Sequence, residues 1–459
     1  MRAPAVRPRS AFVLLFVVLV GFLAATYTFR QITDTELNSF QTRALVLHGD
    51  IDLDRYPRFN DTEYFARERG SHLYSIYGVG VSLVAAPIFA VLTRMGASTS
   101  LLQASVAIPS VAAAIILMYV LLSRLVERRL AIAGAIVFGF GTTMWPLASM
   151  AMYQHAPVAM FQLIGLIALF SEKPRAPAVA GLAFASSTFI RPTTGITFAF
   201  VGLYYLVRGK RPVGYFTLGS VAPLAGMLIQ NRWIWGSWLT GGYAHSGIAF
   251  DAEMPSALFG LSFGWWRGMF VYSPVLILGF VGAVMALRRL RSPVEQRLVV
   301  LALSAIATFL FYSKWSTWWN GLNQFGYRYL LDIVPLLVVL AAYAVSRSER
   351  VRTIAMPLAA LSIMTMTFGA GPHKFGFDGV LYADTLEESS LGQSWIVFLD
   401  QPLNSLLRLG GVAGVCALFA WLTKGIQAQT GTPLFGSTPA LAADPVSGRQ
   451  ETEKPAARL

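Results

Sequence analysis

The chain has 459 residues, of which 55% are hydrophobic and 13% charged, and its mean hydropathy is +0.57. An ordinary soluble domain carries roughly 25% charged residues, so this composition excludes a soluble globular enzyme. The formal net charge of +13 is explained by the excess of basic residues on the cytoplasmic side of membrane proteins, and no nucleic-acid partner is expected. A single cysteine, Cys416, excludes a disulfide within the chain.

Apolar segments recur along the whole chain, and about 20 apolar residues span a bilayer as a helix. We predict an all-α polytopic membrane protein with a cytoplasmic N-terminus (1–10), one membrane domain (11–423) and a disordered cytoplasmic tail (424–459). The tail is rich in Pro, Gly, Ser and Thr and has no apolar periodicity, which is typical of disorder. The thirteen candidate segments are 11–29, 76–95, 101–123, 130–148, 154–171, 176–191, 193–207, 213–231, 268–287, 298–313, 329–346, 353–370 and 404–423.

The charges at the N-terminus indicate the orientation of the first segment. Arg2, Arg7 and Arg9 precede it, which is the layout of a signal sequence. Because the segment is too long for a typical cleaved signal, we predict an uncleaved signal anchor with a cytoplasmic N-terminus.

The later basic clusters limit the number of crossings. If all thirteen segments crossed, most of these clusters would lie opposite the N-terminal arginines, which the positive-inside rule disfavours. A segment 76–95 that stays at the outer leaflet places them in the cytoplasm, so we predict about 12 transmembrane helices and two cytoplasmic termini. The Arg-rich, Ala- and Gly-rich composition indicates a bacterial inner (plasma) membrane protein. The clusters are Arg124/Arg128/Arg129, Arg208/Lys210/Arg211, Arg288/Arg289/Arg291 and Arg347/Arg350/Arg352.

The first outer loop, predicted over 30–100, opens with a juxtamembrane helix. Apolar residues recur at helical spacing after Thr33, and Gly49 is placed to end the helix. We expect a short amphipathic helix on the outer membrane surface, with the apolar segment 76–95 as a second surface element.

Two acidic residues at the start of this helix are candidate catalytic groups. Thr33 and Glu36 fit a capping box, so Glu36 is interpreted first as a cap. Asp34 has two interpretations: a favourable charge at the positive end of the helix dipole, or a general base held at the membrane surface, where a water-borne acceptor meets a lipid-borne donor.

An acidic connector follows the helix and carries His48, Asp50, Asp52 and Asp54. Carboxylate oxygens and an imidazole can bind a divalent cation. The spacing matches no complete ligand set, and exposed acidic loops are common, so both interpretations stay open; no cofactor is otherwise expected.

Three basic residues near predicted helix ends are candidate phosphate contacts. Arg191 stands in a tight turn before Pro192, where it either snorkels to the interface or binds phosphate oxygens through its guanidinium. Lys374 lies in the last large outer loop, and Arg328 precedes a Pro-containing apolar segment. Arg328 could instead pair with Asp332, one turn further into the membrane, because residues four apart are neighbours on a helix.

Tryptophan is concentrated in two loop segments, 232–238 and 314–321. An interfacial aromatic belt explains scattered tryptophans, whereas aromatic faces beside hydrogen-bonding groups also suit a sugar ring. Trp319 and Asn320 combine these features, and His155 lies at another outer helix end.

These motifs resemble the C-type superfamily of integral-membrane glycosyltransferases, especially bacterial members related to aminoarabinose transferase and protein O-mannosyltransferase. In that family an acidic residue begins a surface helix after the first transmembrane helix, roughly fifteen residues before a Gly-Asp pair, as Asp34 precedes Gly49-Asp50. The Tyr-rich stretch 74–80 and the segments 318–321 and 327–330 also match. The resemblance covers about 30–335.

The resemblance implies transfer of a sugar from a polyprenyl-phosphate donor to a glycan, lipid or protein acceptor on the outer face, with inversion at the anomeric carbon. Asp34, or otherwise Glu36, would be the general base, with Asp34 favoured on spacing. Arg191, Arg328 and Lys374 would bind the donor phosphate. The remaining candidates would contact the sugar or the acceptor: His155, Trp319, Asn320, His48 and Asp50.

Two other functions remain open from the sequence. A transporter or flippase for lipid-linked sugars should have a polar central pathway, yet the polar residues gather at helix ends. A polymerase or ligase of lipid-linked sugars would depend on outer-loop arginines and a histidine rather than on Asp34.

Overall fold

The computed structural model describes residues 8–29, 33–59, 65–290, 292–319, 324–371, 390–425 and 434–435. These residues form a helical bundle with one antiparallel hairpin, β1 (Ala66–Arg69) and β2 (His72–Ser75). The helices are α1 (Pro8–Ala25), α2 (Thr33–His48), α3 (Gly80–Leu92), α4 (Thr99–Leu125), α5 (Arg128–Phe140), α6 (His155–Leu169), α7 (Ala176–Ile190), α8 (Gly195–Arg208), α9 (Lys210–Trp235), α10 (Met254–Phe263), α11 (Met269–Tyr272), α12 (Ile277–Leu287), α13 (Pro293–Ser313), α14 (Val334–Arg347), α15 (Glu349–Gly369), α16 (Ser390–Asp400) and α17 (Pro402–Leu422).

The prediction of an all-α membrane protein is confirmed at the level of helix content and apolarity. Each of the thirteen apolar segments contains a helix, because a chain in lipid must satisfy its backbone hydrogen bonds internally. The hairpin and the short helices α10 and α16 were not predicted, since none of them has the length of a membrane span.

Six described helical segments are long and apolar enough to cross a membrane: 99–125, 210–235, 293–313, 329–347, 349–369 and 402–422. Shorter apolar helices accompany them, including α6 and α7. The total of about 12 crossings and the orientation stay predictions. α3 has 13 residues, fewer than the roughly 20 that span a bilayer, and it packs along α2.

The helix α4 lies in the interior of the bundle, where it contacts α1, α5 and α6. In contrast, α9 packs on α7 along one side and presents Leu218, Val221 and Ile229 outward. A contiguous apolar face on the outside of a bundle is what a helix presents to lipid.

In the tail beyond 424, Phe435 packs against the helical bundle. Phe435 is 1% exposed, its amide donates to the Leu125 carbonyl at 2.7 Å, and its ring packs edge-on against Tyr343. The disorder predicted for 424–459 stays a prediction, and 426–433 and 436–459 lie outside the described residues.

Glycines permit a close helix contact between α12 and α14. A Cβ at Gly282 would overlap the carbonyl oxygen of Leu340, and one at Gly279 would press on Leu337. Small residues allow membrane helices to approach closely in this way.

Gly282→Ala is expected to destabilise the bundle by about 1–3 kcal/mol, the usual cost of overpacking. Alanine is the better helix former by about 1 kcal/mol, so a loss can only come from the clash. Thermal unfolding in detergent measures the effect. Gly214→Ala in α9 is the matched control, because nothing lies within 4 Å of its Cβ position; equal midpoints for both variants would contradict the packing argument.

Candidate functional site

The helix α2 carries the first candidate residue into the bundle. Leu37, Phe40 and Ala44 are buried, whereas Leu47 is exposed, and Gly49 ends the helix with a φ of 77°. The polar residues Asn38 and Gln41 are buried within the protein as well, while the predicted position of α2 at the membrane surface stays a prediction. Asn38 Nδ2 donates to the Met152 carbonyl at 3.2 Å, and Gln41 Oε1 accepts from Ser82 Oγ at 3.3 Å.

A small polar recess lies at the N-terminal end of α2. It brings together four predicted site residues, Asp34, His155, Arg191 and Arg328, from segments far apart in the chain. The complete lining is Asp34, Asn38, Tyr77, Tyr153, Gln154, His155, Arg191 and Arg328.

Asp34 and Arg328 form an ion pair in this recess. Their side chains are only 8% and 13% exposed. The Arg328 guanidinium lies over the Tyr153 ring, 5.1 Å from its centroid, and its buried Nε has no hydrogen-bond partner among the described residues. The Asp34 carboxylate is therefore paired with the Arg328 guanidinium, whose Nε can still donate a hydrogen bond.

The alternative pairing of Arg328 with Asp332 is wrong. The chain forms a tight 3₁₀ turn over Tyr329–Ile333, and Asp332 instead accepts a hydrogen bond from Arg191 Nε at 2.7 Å. Asp332 also accepts from Thr193 Oγ1 at 3.0 Å and from Tyr312 OH at 3.3 Å. Its buried charge is neutralised, as a charge within a membrane protein must be.

Arg191 is held by the same network rather than free to reach outward. Its Nη2 donates to Tyr312 OH at 2.8 Å, and its side chain is 5% exposed. The guanidinium lines the recess, but its charge is already matched by Asp332. Arg191 and Arg328 are thus each paired with a carboxylate, and the role of either in phosphate binding stays a prediction.

His155 connects the network to the recess. Its Nδ1 lies 3.1 Å from Asp332 Oδ1, so the carboxylate holds the ring with the proton on Nδ1. Nε2 is buried and has no partner among the described residues. A lone pair at that position can accept a hydrogen bond from a hydroxyl group of a ligand.

Arg267, which the sequence analysis did not identify, positions the chain before Arg328. It is 3% exposed, and its Nη1 donates to the carbonyls of Gln324 at 2.8 Å and Gly326 at 3.1 Å. Gly326 has a φ of 75°, which favours glycine. The sequence feature that could have identified Arg267 is an arginine beside two tryptophans between apolar segments.

Other candidates lie elsewhere. Glu36 does not line the recess, because it is two residues from Asp34 and so faces another side of α2. His48 is at the far end of α2, about 21 Å along the helix axis, and Asp50 follows it.

Among the candidates of the tryptophan-rich loop and the last outer loop, Trp319 does not line the recess either. The backbone carbonyl of Trp319 accepts a hydrogen bond from Trp266 Nε1 at 3.1 Å. Asn320 and Lys374 lie outside the described residues.

The acidic connector folds onto the hairpin. Asp52, Asp54 and His72 place their ligand atoms within 4.8 Å of one another. His48 and Asp50, which the cation hypothesis included, are not part of this group; Asp50 lies 3.7 Å from Arg55. Two carboxylates and one imidazole are fewer ligands than calcium takes, so a divalent cation stays a prediction.

The hydrogen bond from His72 Nδ1 to Asp54 Oδ2, at 2.6 Å, raises the pKa of His72 above its usual value. The pair therefore stabilises the loop fully below about pH 6.5 and loses this contribution as the pH rises through the folded-state pKa. Asp54→Asn should lower the pKa of His72 towards about 6.5, as NMR titration of the labelled imidazole would show. His72→Gln assigns the signal, and Asp400→Asn is a remote control; an unchanged pKa in Asp54→Asn would contradict the assignment.

The chain matches no protein-family model and no curated protein. Among solved structures it is similar to ArnT from Cupriavidus metallidurans in the apo state, with a TM-score of 0.45 and 16% identity over 91% of this chain and 75% of that one. It is also similar to the archaeal oligosaccharyltransferase AglB from Archaeoglobus fulgidus in complex with an inhibitory peptide and a dolichol-phosphate. That TM-score is 0.46, with 11% identity over 89% of this chain and 56% of AglB.

Proposed function

We propose that this protein is a membrane glycosyltransferase that moves a sugar from a polyprenyl-phosphate donor to an acceptor at the outer face, with inversion. The observation that carries the proposal is the recess in which the Asp34 carboxylate and the Arg328 guanidinium lie side by side. A base for the acceptor and a cation for the leaving phosphate are the two groups that this reaction needs.

The reaction is a single displacement. The acceptor oxygen attacks the anomeric carbon from the face opposite the phosphate, and its bond to carbon forms as the carbon–phosphate oxygen bond breaks. The leaving phosphate takes the bonding electrons, and Asp34 takes the acceptor proton. Arg328 stabilises the negative charge on the phosphate with its guanidinium, which requires that the donor enter between Arg328 and Asp34 and separate their ion pair. Because a phosphate diester leaves as a stable monoester anion, no strong general acid is required.

The geometry of α2 favours Asp34 over Glu36 as the base. Asp34 and Asn38 are four residues apart, share one face of the helix and both line the recess. Glu36 does not line it.

His155 and Arg191 complete the proposed site as supporting groups. The free Nε2 of His155 would accept a hydrogen bond from a sugar or acceptor hydroxyl. Arg191 would hold Asp332, and Asp332 would fix the orientation of the His155 ring. His48 and Asp50, at the other end of α2, have no place in this arrangement.

Transfer by purified wild-type protein tests the proposal. The protein in detergent is incubated with a panel of polyprenyl-phosphate sugars, and released polyprenyl phosphate is measured with and without candidate acceptors. We expect turnover with at least one donor, by transfer or by slow hydrolysis. No release with any donor, together with movement of a lipid-linked sugar across reconstituted vesicles, would replace the proposal with a flippase.

A further inference from the structure

A second cluster of basic side chains lies outside the recess, where the hairpin meets the loop after α9. Arg67 and Arg69 extend from β1, and Arg67 Nε donates to the His245 carbonyl at 2.8 Å. Arg69 Nη2 lies 2.5 Å from His245 Nδ1. The His245 ring stacks on Trp235, with centroids 4.9 Å apart, and the Arg69 guanidinium lies over the same indole at 5.2 Å. We call these four residues the outer basic cluster.

The contact between Arg69 and His245 determines where the histidine proton lies. A guanidinium only donates hydrogen bonds, so His245 Nδ1 must be the acceptor and the proton must sit on Nε2. Burial and the nearby charges of Arg69 and Arg67 lower the pKa of His245, which keeps the ring neutral as this contact requires.

Two buried donors in this cluster are therefore unused. His245 Nε2 and Arg69 Nε are both buried and have no hydrogen-bond partner among the described residues. An unsatisfied buried donor destabilises the folded protein. The two donors belong to neighbouring side chains that are both fixed against one indole, so an oxygen acceptor between them would satisfy both.

The charge of the cluster indicates that this acceptor is an anion. Within the described part of the chain, no ion pair includes Arg67 or Arg69. Glu68 stands between them in the sequence, but side chains alternate along a strand, so it points to the opposite face and is exposed. Among the described residues, the two arginines on the face with His245 are therefore not paired with a carboxylate.

The outer basic cluster is a neighbour of the recess. Tyr243, two residues before His245, packs edge-on against Tyr77 with ring centroids 5.6 Å apart. Its hydroxyl also donates to Gln154 Oε1 at 3.4 Å. Tyr77 and Gln154 both line the recess. A molecule whose hydroxyl reaches Asp34 could therefore extend towards the cluster.

We propose that Arg67, Arg69 and His245 form an oxyanion site that binds a phosphate or carboxylate group of the acceptor. The presence of the site is independent of the proposed transfer reaction, whereas its assignment to the acceptor rests on that function. Arg69 Nε and His245 Nε2 donate to the oxygens of the anion, and Trp235 keeps both donors in place.

The first experiment measures anion binding without any assay of transfer. Thermal unfolding of the purified protein in a non-ionic detergent is followed in sodium phosphate, sodium acetate and sodium chloride at equal ionic strength. We expect phosphate or acetate to raise the midpoint of the wild type by about 2 °C at tenfold saturation, and Arg69→Gln and His245→Ala to lose this increase. Arg232→Gln is the matched control, because Arg232 lies near the same end of α9 and is exposed; it should keep the increase.

Three outcomes decide the proposal. An anion effect that is equal in the wild type, Arg69→Gln and His245→Ala overturns the site, because it reflects a general salt effect. Stabilisation by phosphatidylglycerol in nanodiscs without stabilisation by soluble anions overturns the acceptor assignment in favour of a lipid headgroup. If transfer is detected, Arg69→Gln should raise the KM for an acidic acceptor at least tenfold with little change in kcat. The KM for a neutral acceptor should stay unchanged. Equal effects on both acceptors overturn the assignment.

Discussion

Asp34→Asn is expected to lower the rate of sugar transfer by about 100- to 10,000-fold, the usual contribution of a general base. The amide has nearly the same size as the carboxylate, so the α2 helix and its packing should be retained. It cannot take a proton from the acceptor, and it also leaves Arg328 without its ion-pair partner. Initial rates at equal folded yield measure the effect.

Glu36→Gln is the matched control for Asp34→Asn. It lies on the same turn of α2 and also loses one carboxylate, but it does not line the recess. Its rate should stay within a few-fold of the wild type. A large loss in Glu36→Gln with little loss in Asp34→Asn would move the base to Glu36, while equal rates in all three proteins would remove both residues from the chemistry.

Asp332→Ala is expected to destabilise the protein by about 3–5 kcal/mol, the cost of breaking a buried ion pair from one side. The variant leaves the Arg191 guanidinium buried with an unmatched charge, and Thr193 and His155 each lose a hydrogen-bond partner. Thermal unfolding in detergent and the yield of folded protein both report the loss.

Two further variants separate the buried charge from general damage. Glu349→Ala removes an exposed carboxylate 3.5 Å from Arg352 and should cost no more than about 1 kcal/mol. The double variant Arg191→Met with Asp332→Leu removes both charges and should recover part of the stability lost in Asp332→Ala. A double variant less stable than Asp332→Ala would show that packing, and not the unmatched charge, sets the cost.

The partners of Arg191 and Arg328 could not be predicted from the sequence. Arg328 and Asp332 are four residues apart, and a regular helix would pair them. Because of the 3₁₀ turn and the position of α7, Asp332 pairs with Arg191. Arg328 pairs instead with Asp34, which is 294 residues away in the chain. Local spacing carries no information about such distant partners.

The sequence by itself determined the helical membrane class, the thirteen apolar segments and the placement of Asp34 at the start of a helix. These features follow from local patterns, because lipid forces backbone hydrogen bonds to close within each apolar segment. Only the tertiary structure decided which charges pair, how deeply α2 is buried, and that Arg267 holds the chain before Arg328. It also decided that Arg69 meets His245, 176 residues later. Such contacts depend on how separate helices and loops pack, and packing is fixed by the whole chain together.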